Sequence, residues 1–286
     1  MVTPFRENGK PDFTALEQQT DFQLENGTDA LLVLGTTGES ATLSDKEKKQ
    51  IIRTVIRRVD HRIPVLVGAG SNNTEKAYKL AQMAADEGAD AHLQVTPYYN
   101  KTTQSGLLAH YTYLADRVDL PMILYNVPAR TGVNIRPETY AELSRHKNIV
   151  AVKEANGNVA SVLETLRLCE DGFSVYSGDD ALITPFLSVG AQGVISVLSN
   201  IMPETVHEIC ALYAGGRVKE SAAKQIAVSD LISALFCETN PIPIKTAMAL
   251  LRRDSGKVRL PLVAMTNAGK ERLRLALIRH GMLAFS

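Results

Sequence analysis

Lys153 follows four apolar residues, Ile149-Val150-Ala151-Val152, and so closes a segment of strand character. Apolar surroundings favour the neutral form of an amine, and a neutral amine is a nucleophile that condenses with ketones. The resulting iminium withdraws electrons from the neighbouring carbon and supports carbanion chemistry. An ion pair with Glu154 or exposure to solvent are the plainer alternatives for this lysine. Tyr125 closes the apolar run before it, Met122-Ile123-Leu124, and its phenol can move protons during imine formation. Thr36 and Tyr99 supply further hydroxyls for a chain that leads to water. Thr37 stands with Thr36 between Gly35 and Gly38, where backbone N–H groups can approach a carboxylate. Arg130 lies in Pro128-Ala129-Arg130-Thr131-Gly132 and offers a two-pronged donor to a second carboxylate, or else a surface salt bridge.

Such residues act together only if the elements that carry them bring their ends to one place. Short apolar runs at 30–34, 63–67, 91–95, 122–125, 149–152, 173–176 and 193–196 alternate with helical patterns. Ser44-Asp45-Lys46-Glu47 is a capping box that opens one helix. Ala77, Leu80, Ala81, Ala84 and Ala85 form the stripe of another, and 104–117, 137–146 and 158–170 fill the later gaps. Strands each followed by a helix imply parallel crossovers, and the pattern predicts an α/β fold, a (β/α)8 TIM barrel. Residues 1–5 must supply its eighth strand. In such a barrel the strand ends carry the active site. From about residue 203 the strand signal stops, and 203–213, 222–236, 243–252 and 267–280 read as helices. The expected organisation is a catalytic barrel over 1–216 and a C-terminal helical appendage over 217–286.

Bulk composition narrows the function. Lys plus Arg and Asp plus Glu are 31 each among 286 residues. A chain without net charge has no general field for nucleic acid or an anionic membrane, so neither is expected as a partner. No apolar run approaches the roughly 18 residues that span a bilayer, and the chain reads as cytoplasmic. Cys169, Cys210 and Cys237 are far apart and read as half-buried thiols rather than a disulfide framework. The six histidines show no HxH or HExxH spacing, so no metal site is expected. Glycine-rich phosphate and dinucleotide loops are also missing from the sequence, and no cofactor is expected.

Five motifs taken in order carry a resemblance. They are Gly35-Thr36-Thr37-Gly38-Glu39-Ser40, Thr96-Pro97-Tyr98-Tyr99-Asn100, Tyr125 to Gly132, Val152-Lys153-Glu154 and Ser177-Gly178-Asp179-Asp180. Together with Asn240-Pro241-Ile242-Pro243-Ile244-Lys245 they resemble the 4-hydroxy-tetrahydrodipicolinate synthase (dihydrodipicolinate synthase) family, class I aldolases of the N-acetylneuraminate lyase superfamily. The resemblance implies that pyruvate forms a Schiff base with Lys153 and that L-aspartate 4-semialdehyde is the second substrate, in diaminopimelate and lysine biosynthesis. It implies a proton relay of Thr36, Tyr125 and Tyr99, with Tyr99 reaching in from a neighbouring subunit of a homotetramer built as a dimer of dimers. It assigns the pyruvate carboxylate to Thr37, the aldehyde substrate's carboxylate to Arg130, and the pocket beside the lysine to Gly178 and Ile195. Thr36 and Arg130 favour the synthase over lyases of the same scaffold, which tend to carry Ser-Thr and lack the arginine. Ser40, Ala41, Asn72 and Tyr98 match an allosteric lysine site, but Lys76 stands where regulated members carry an acid. Asp45 and Lys48 replace histidines there. Weak or absent lysine inhibition is therefore expected. A pyruvate-dependent aldolase acting on a sugar acid, and a catalytically dead carboxylate sensor, are the competing functions.

Overall fold

The computed structural model describes residues 1–284. It forms two compact units, Pro64–Ile195 and a second made of Met1–Ile63 with the chain from Ser196 onward. The second unit opens with the segment expected to be a strand, and here the structure differs. Among the described residues the strands number seven, and 1–5 contributes only an isolated antiparallel bridge between Phe5 and Pro11. The Met1 amino group donates to Leu32 O at 2.6 Å, but the next donors of this segment go elsewhere. Val2 N–H donates to Asn200 Oδ1 at 2.9 Å and Thr3 Oγ1 to Gly38 O at 2.7 Å, while Pro4 has no N–H to give a ladder.

Helix α1 (Phe13–Glu25) follows, capped by Asp12, whose side chain accepts from Ala15 N–H. No apolar period marks it in the sequence, because its buried positions are Leu16, Gln19, Thr20 and Gln23. Their side-chain donors are satisfied individually: Thr20 donates to Leu16 O at 2.8 Å, Gln23 Nε2 to Ser199 O at 2.8 Å and Gln19 Nε2 to Arg253 O at 3.2 Å. Strand β1 (Leu31–Val33) leads to two short 3₁₀ turns, Thr36–Gly38 and Ser40–Thr42. Helix α2 (Asp45–Val59) then begins at the expected capping box, Ser44 with Glu47.

The Pro64–Ile195 unit repeats one motif. Strands β2 (Val65–Gly68), β3 (Ala91–Val95), β4 (Met122–Asn126), β5 (Ile149–Glu154), β6 (Ser174–Ser177) and β7 (Gly193–Val194) pair in parallel in sequence order. Helices α3 (Thr74–Asp86), α4 (Gln104–Ala115), α5 (Pro128–Thr131), α6 (Pro137–Ser144), α7 (Val159–Leu168) and α8 (Ile183–Leu187) occupy the crossovers. Met122, Leu124, Ile149, Val152 and Val175 pack with Leu107, Tyr111, Leu114, Tyr140 and Phe186 in one buried cluster. Burial of this apolar layer, at roughly 25 cal/mol per Å², is what holds the strands in place.

One irregularity decides what the strand ends present. Met122 pairs with Ile149 but Ile123 pairs with Ala151, so β5 carries one extra residue, Val150. Val150 is 36% exposed although it sits in a wholly apolar run. Beyond the bulge Leu124 pairs with Val152, Tyr125 with Lys153 and Asn126 with Glu154.

The chain from Ser196 onward contributes α9 (Pro203–Ala214), α10 (Val218–Ala227), α11 (Ser229–Leu235), α12 (Ile242–Leu250) and α13 (Asn267–Arg279). The single helix expected over 222–236 is two, α10 and α11, broken at Val228. At the break Ser229 Oγ donates to Ile226 O at 2.7 Å and competes with the helical ladder. No helix among the described residues is long and apolar enough to cross a membrane.

Candidate active site

Parallel pairing puts register partners on the same face of a sheet. Tyr125 and Lys153 are register partners at the ends of β4 and β5, and Lys153 Nζ lies 4.6 Å from the Tyr125 ring centroid. Tyr176 is the partner of Lys153 on the other side, in β6. Lys153 is half-buried and Tyr125 is buried. Gly178 follows β6 and closes on the same lysine. Its N–H donates to Glu154 O at 2.7 Å, and a Cβ at this position would meet Ala155 Cβ at 2.8 Å and Lys153 Cε at 3.1 Å. Only glycine leaves the lysine stem its room. Ile195 N–H donates to Ser177 O at 2.8 Å, which fixes the Ile195 backbone beside the residue before Gly178.

Glu154 is not the partner of Lys153. The alternation of β5 turns it to the opposite face, where it is 2% exposed. Asn126 Nδ2 donates to both of its carboxyl oxygens, at 2.9 and 3.1 Å. Tyr140 O–H donates at 2.8 Å and Asn156 N–H at 2.9 Å. Burial pushes the Glu154 carboxyl up from 4.5 to about 7, against the pull of these donors. Asn126 extends the network into the loop after β4, donating to Asn134 Oδ1 at 2.8 Å and accepting from Ile135 N–H at 3.1 Å. Asn126 and Tyr140 went unnoticed in the sequence, where nothing separates them from an ordinary strand asparagine and core tyrosine.

That loop carries Arg130. It winds into α5, with Pro128 in its first turn, and ends at Gly132, whose φ of 68° suits glycine. Arg130 is exposed. Thr131 is buried and accepts from Thr96 Oγ1 at 2.9 Å, which ties the Arg130 loop to the start of the Thr96-Pro97-Tyr98-Tyr99 loop. Tyr99 has a φ of 70° and is 91% exposed, so its side chain is open to solvent. Asn100 Nδ2 donates to Asn72 O at 3.0 Å and brings the Tyr98 and Asn72 loops together.

Thr36 and Thr37 belong to the other unit, in the turn after β1. Gly38 N–H donates to Gly35 O at 3.0 Å and Glu39 N–H to Thr36 O at 3.1 Å. Glu39 is left-handed, with φ 53°, and buried. Fully buried Lys245 donates to Glu39 Oε1 at 2.9 Å and to Thr3 O at 2.8 Å. Arg259 N–H donates to Glu39 Oε2 at 3.0 Å, and Asn240 Nδ2 donates to Thr37 Oγ1 at 2.9 Å. Asn240 and Lys245 lie in a stretch that bore on family resemblance alone. Ser40 and Ala41 occupy the next 3₁₀ turn. Lys48 is buried and lies 3.8 Å from Asp45, while Lys76 is exposed in the first turn of α3.

Strand–helix repeats with a lysine at a strand end describe a class, the class I aldolase type of lyase, built on an α/β barrel with C-terminal helices. Comparison with known proteins narrows the class. The Dihydrodipicolinate synthetase family profile matches residues 1–279. The 4-hydroxy-tetrahydrodipicolinate synthase of Geobacter metallireducens is 50% identical over 273 residues, 96% of this chain and 94% of that protein. The dihydrodipicolinate synthase structure from Thermotoga maritima is 44% identical, with a TM-score of 0.97 over 99% of this chain and 97% of that one. The chloride-inhibited enzyme of Acinetobacter baumannii complexed with pyruvate is 40% identical, with a TM-score of 0.97 and the same shares covered. The chain belongs to the dihydrodipicolinate synthetase family.

The Glu154 network generates a pH prediction. The folded state holds this proton more tightly than the unfolded chain does. Its contribution to stability is therefore fully present below pH 4.5 and is lost as pH rises through about 7. Between about pH 5 and pH 7.5 the protein should lose about 2 kcal/mol that Glu154→Gln keeps, read from urea unfolding at the two pH values. Equal losses in both proteins would refute a Glu154 that titrates in the fold.

Proposed function

We propose that this chain condenses pyruvate with L-aspartate 4-semialdehyde to give 4-hydroxy-tetrahydrodipicolinate, through a Schiff base on Lys153. The observation that carries the reading is the register partnership of Lys153 with Tyr125 at the ends of adjacent strands. Proteins similar to it bear the name of this activity, and one of them is a complex with pyruvate.

Lys153 Nζ attacks the pyruvate C2 carbonyl, water leaves, and an iminium forms. The iminium draws electrons from C3, a C3 proton departs, and the enamine carbon attacks the semialdehyde carbonyl. The amine of the second substrate then displaces Lys153 from C2, which closes the ring and regenerates the free lysine. Tyr125 transfers protons to and from the oxygen and nitrogen at C2. Thr36 and the Tyr99 of a neighbouring subunit extend that relay to water. Thr37 binds the pyruvate carboxylate and Arg130 the carboxylate of the semialdehyde. Gly178 and Ile195 line the pocket beside the lysine. The active form is a tetramer working in the cytoplasm, in diaminopimelate and lysine biosynthesis.

Three outcomes test this reading. Borohydride reduction with pyruvate should leave a reduced adduct on Lys153 by mass spectrometry. Lys153→Arg should form none and lose activity by roughly 10⁴-fold or more. Turnover should be seen with aspartate semialdehyde and not with sugar acids. A mass unchanged by pyruvate and borohydride would sink the Schiff base, and turnover of sugar acids alone would sink the second substrate.

If Tyr99 serves a neighbour's site, subunits of Tyr99→Phe and of Lys153→Arg, each nearly inactive alone, should regain activity when refolded together. A mixture no more active than its parents refutes the shared relay. Finally, Lys76 would repel the ammonium group of free lysine where Ser40, Ala41, Asn72 and Tyr98 would hold it. Sub-millimolar lysine should therefore leave the rate of a coupled assay unchanged, and clear inhibition would overturn that expectation.

A further inference from the structure

The turn that carries Thr37 is gripped at several points by a segment more than two hundred residues away in the chain. Asn240 is buried and donates from Nδ2 to Thr37 Oγ1 at 2.9 Å. Five residues on, Lys245 holds Glu39, the left-handed residue that ends the turn, and the Arg259 backbone holds the other oxygen of the same carboxylate. Thr3, whose carbonyl accepts from Lys245, donates to Gly38 O. The side chains of Thr37 and of Glu39 are thus both engaged by this segment, with Gly38 held between them.

A threonine hydroxyl has one proton to donate and two lone pairs to accept with. The amide of Asn240 occupies a lone pair, so Thr37 cannot spend its proton on that neighbour. We infer that Asn240 is a positioning residue for this reaction: by donating to Thr37 Oγ1 it keeps the Thr37 hydroxyl turned as a donor toward the carboxylate of the 2-oxo acid substrate. The inference rests on the reading of Thr37 as the pyruvate carboxylate ligand, and it adds the group that sets the polarity of that ligand. A neutral donor is suited to this place. An acceptor there would take the Thr37 proton for itself, and an acidic one would also repel the incoming anion.

The test is a double-mutant cycle read through steady-state kinetics. Asn240→Asp reverses the hydrogen bond and should raise the pyruvate KM about tenfold, the scale of one lost hydrogen bond to a charged group. Asn240→Ala should raise it by a few-fold. In both, kcat at saturating pyruvate and the KM for aspartate semialdehyde should stay within about twofold, a split that general loosening of the fold would not give. In a Thr37→Val background the neutral Asn240→Ala should not raise the pyruvate KM further, because the hydroxyl it acts through is gone. A rise of the same size in that background overturns the inference, as does an unchanged pyruvate KM in Asn240→Asp. If Asn240→Asp does not fold, the same cycle with Asn240→Ala decides. If Thr37→Val itself leaves the pyruvate KM unchanged, the carboxylate reading of Thr37 fails and the inference falls with it. If Thr37→Val raises the KM but Asn240 variants do not, the inference alone fails.

Discussion

One inserted residue sets which side chains the ends of β4 and β5 bring together. β4 and β5 begin in register at Met122 and Ile149, and without the bulge the ladder would continue with Leu124 opposite Ala151 and Tyr125 opposite Val152. Lys153 would then oppose Asn126 and share a face with Met122 and Leu124, among the side chains that pack on the helices. Val150 absorbs the slip. Beyond it Lys153 faces with Tyr125, and Glu154 faces with Asn126. Because side chains alternate with a period of two, a slip of one residue exchanges the two faces completely. The bulge is therefore what allows Ile149 and Val152 to lie in the same apolar cluster while Lys153 lies outside it.

The exchange of faces explains why two adjacent ionisable residues have such different surroundings. Lys153 is left with an aromatic ring and a glycine beside it. Glu154 is sealed behind it with donors from β4, α6 and the loop after β5. Had the two side chains paired, the amine would have been tied up in an ion pair and unavailable for the proposed Schiff base. Instead the carboxyl spends its acceptor capacity on holding the loop that bears Arg130 against the strand that bears Lys153. Desolvation opposes this arrangement and the hydrogen bonds support it, and the result is a proton affinity far above that of an exposed glutamate. An apolar residue in its place would avoid the desolvation but leave Asn126, Tyr140 and Asn156 with unmet donors.

Much of this was legible in the sequence, and the parts that were not share a cause. All seven apolar runs became strands, within a residue or two at most ends, because a strand buried among helices must be apolar wherever it packs. Lys153 and Tyr125 were legible for the complementary reason, since a polar residue ending such a run needs an explanation. The bulge was invisible because Val150 is as apolar as its neighbours, and only the pairing with β4 reveals it as the extra residue. Helix α1 was missed because its buried face is glutamine and threonine, whose burial depends on acceptors supplied by Ser199 and Arg253. The strand expected at 1–5 failed for a similar reason. Only the Met1 amino group reaches β1, at Leu32 O, while Val2 and Thr3 donate to Asn200 and Gly38. Local pattern records what a segment needs to bury, and it does not record who will satisfy the polar groups buried with it.

The last of these hidden partnerships concerns the turn at Thr36–Gly38. A non-glycine residue in the left-handed region costs of order 1–2 kcal/mol, and Glu39 occupies it next to a glycine. Taking Lys245 fully out of water is more costly still unless its charge is met. Each difficulty offsets the other. The left-handed backbone of Glu39 accompanies a carboxylate placed to meet the buried ammonium, and Lys245 makes two hydrogen bonds and lies 4.1 Å from the Phe5 ring centroid. Neither residue is stable in its place alone, so the helices after residue 203 and the turn after β1 are specified together. The C-terminal helices then have a reason to be in the same chain as the strand ends: they fix the backbone of the turn whose threonines face the substrate in the proposed reaction.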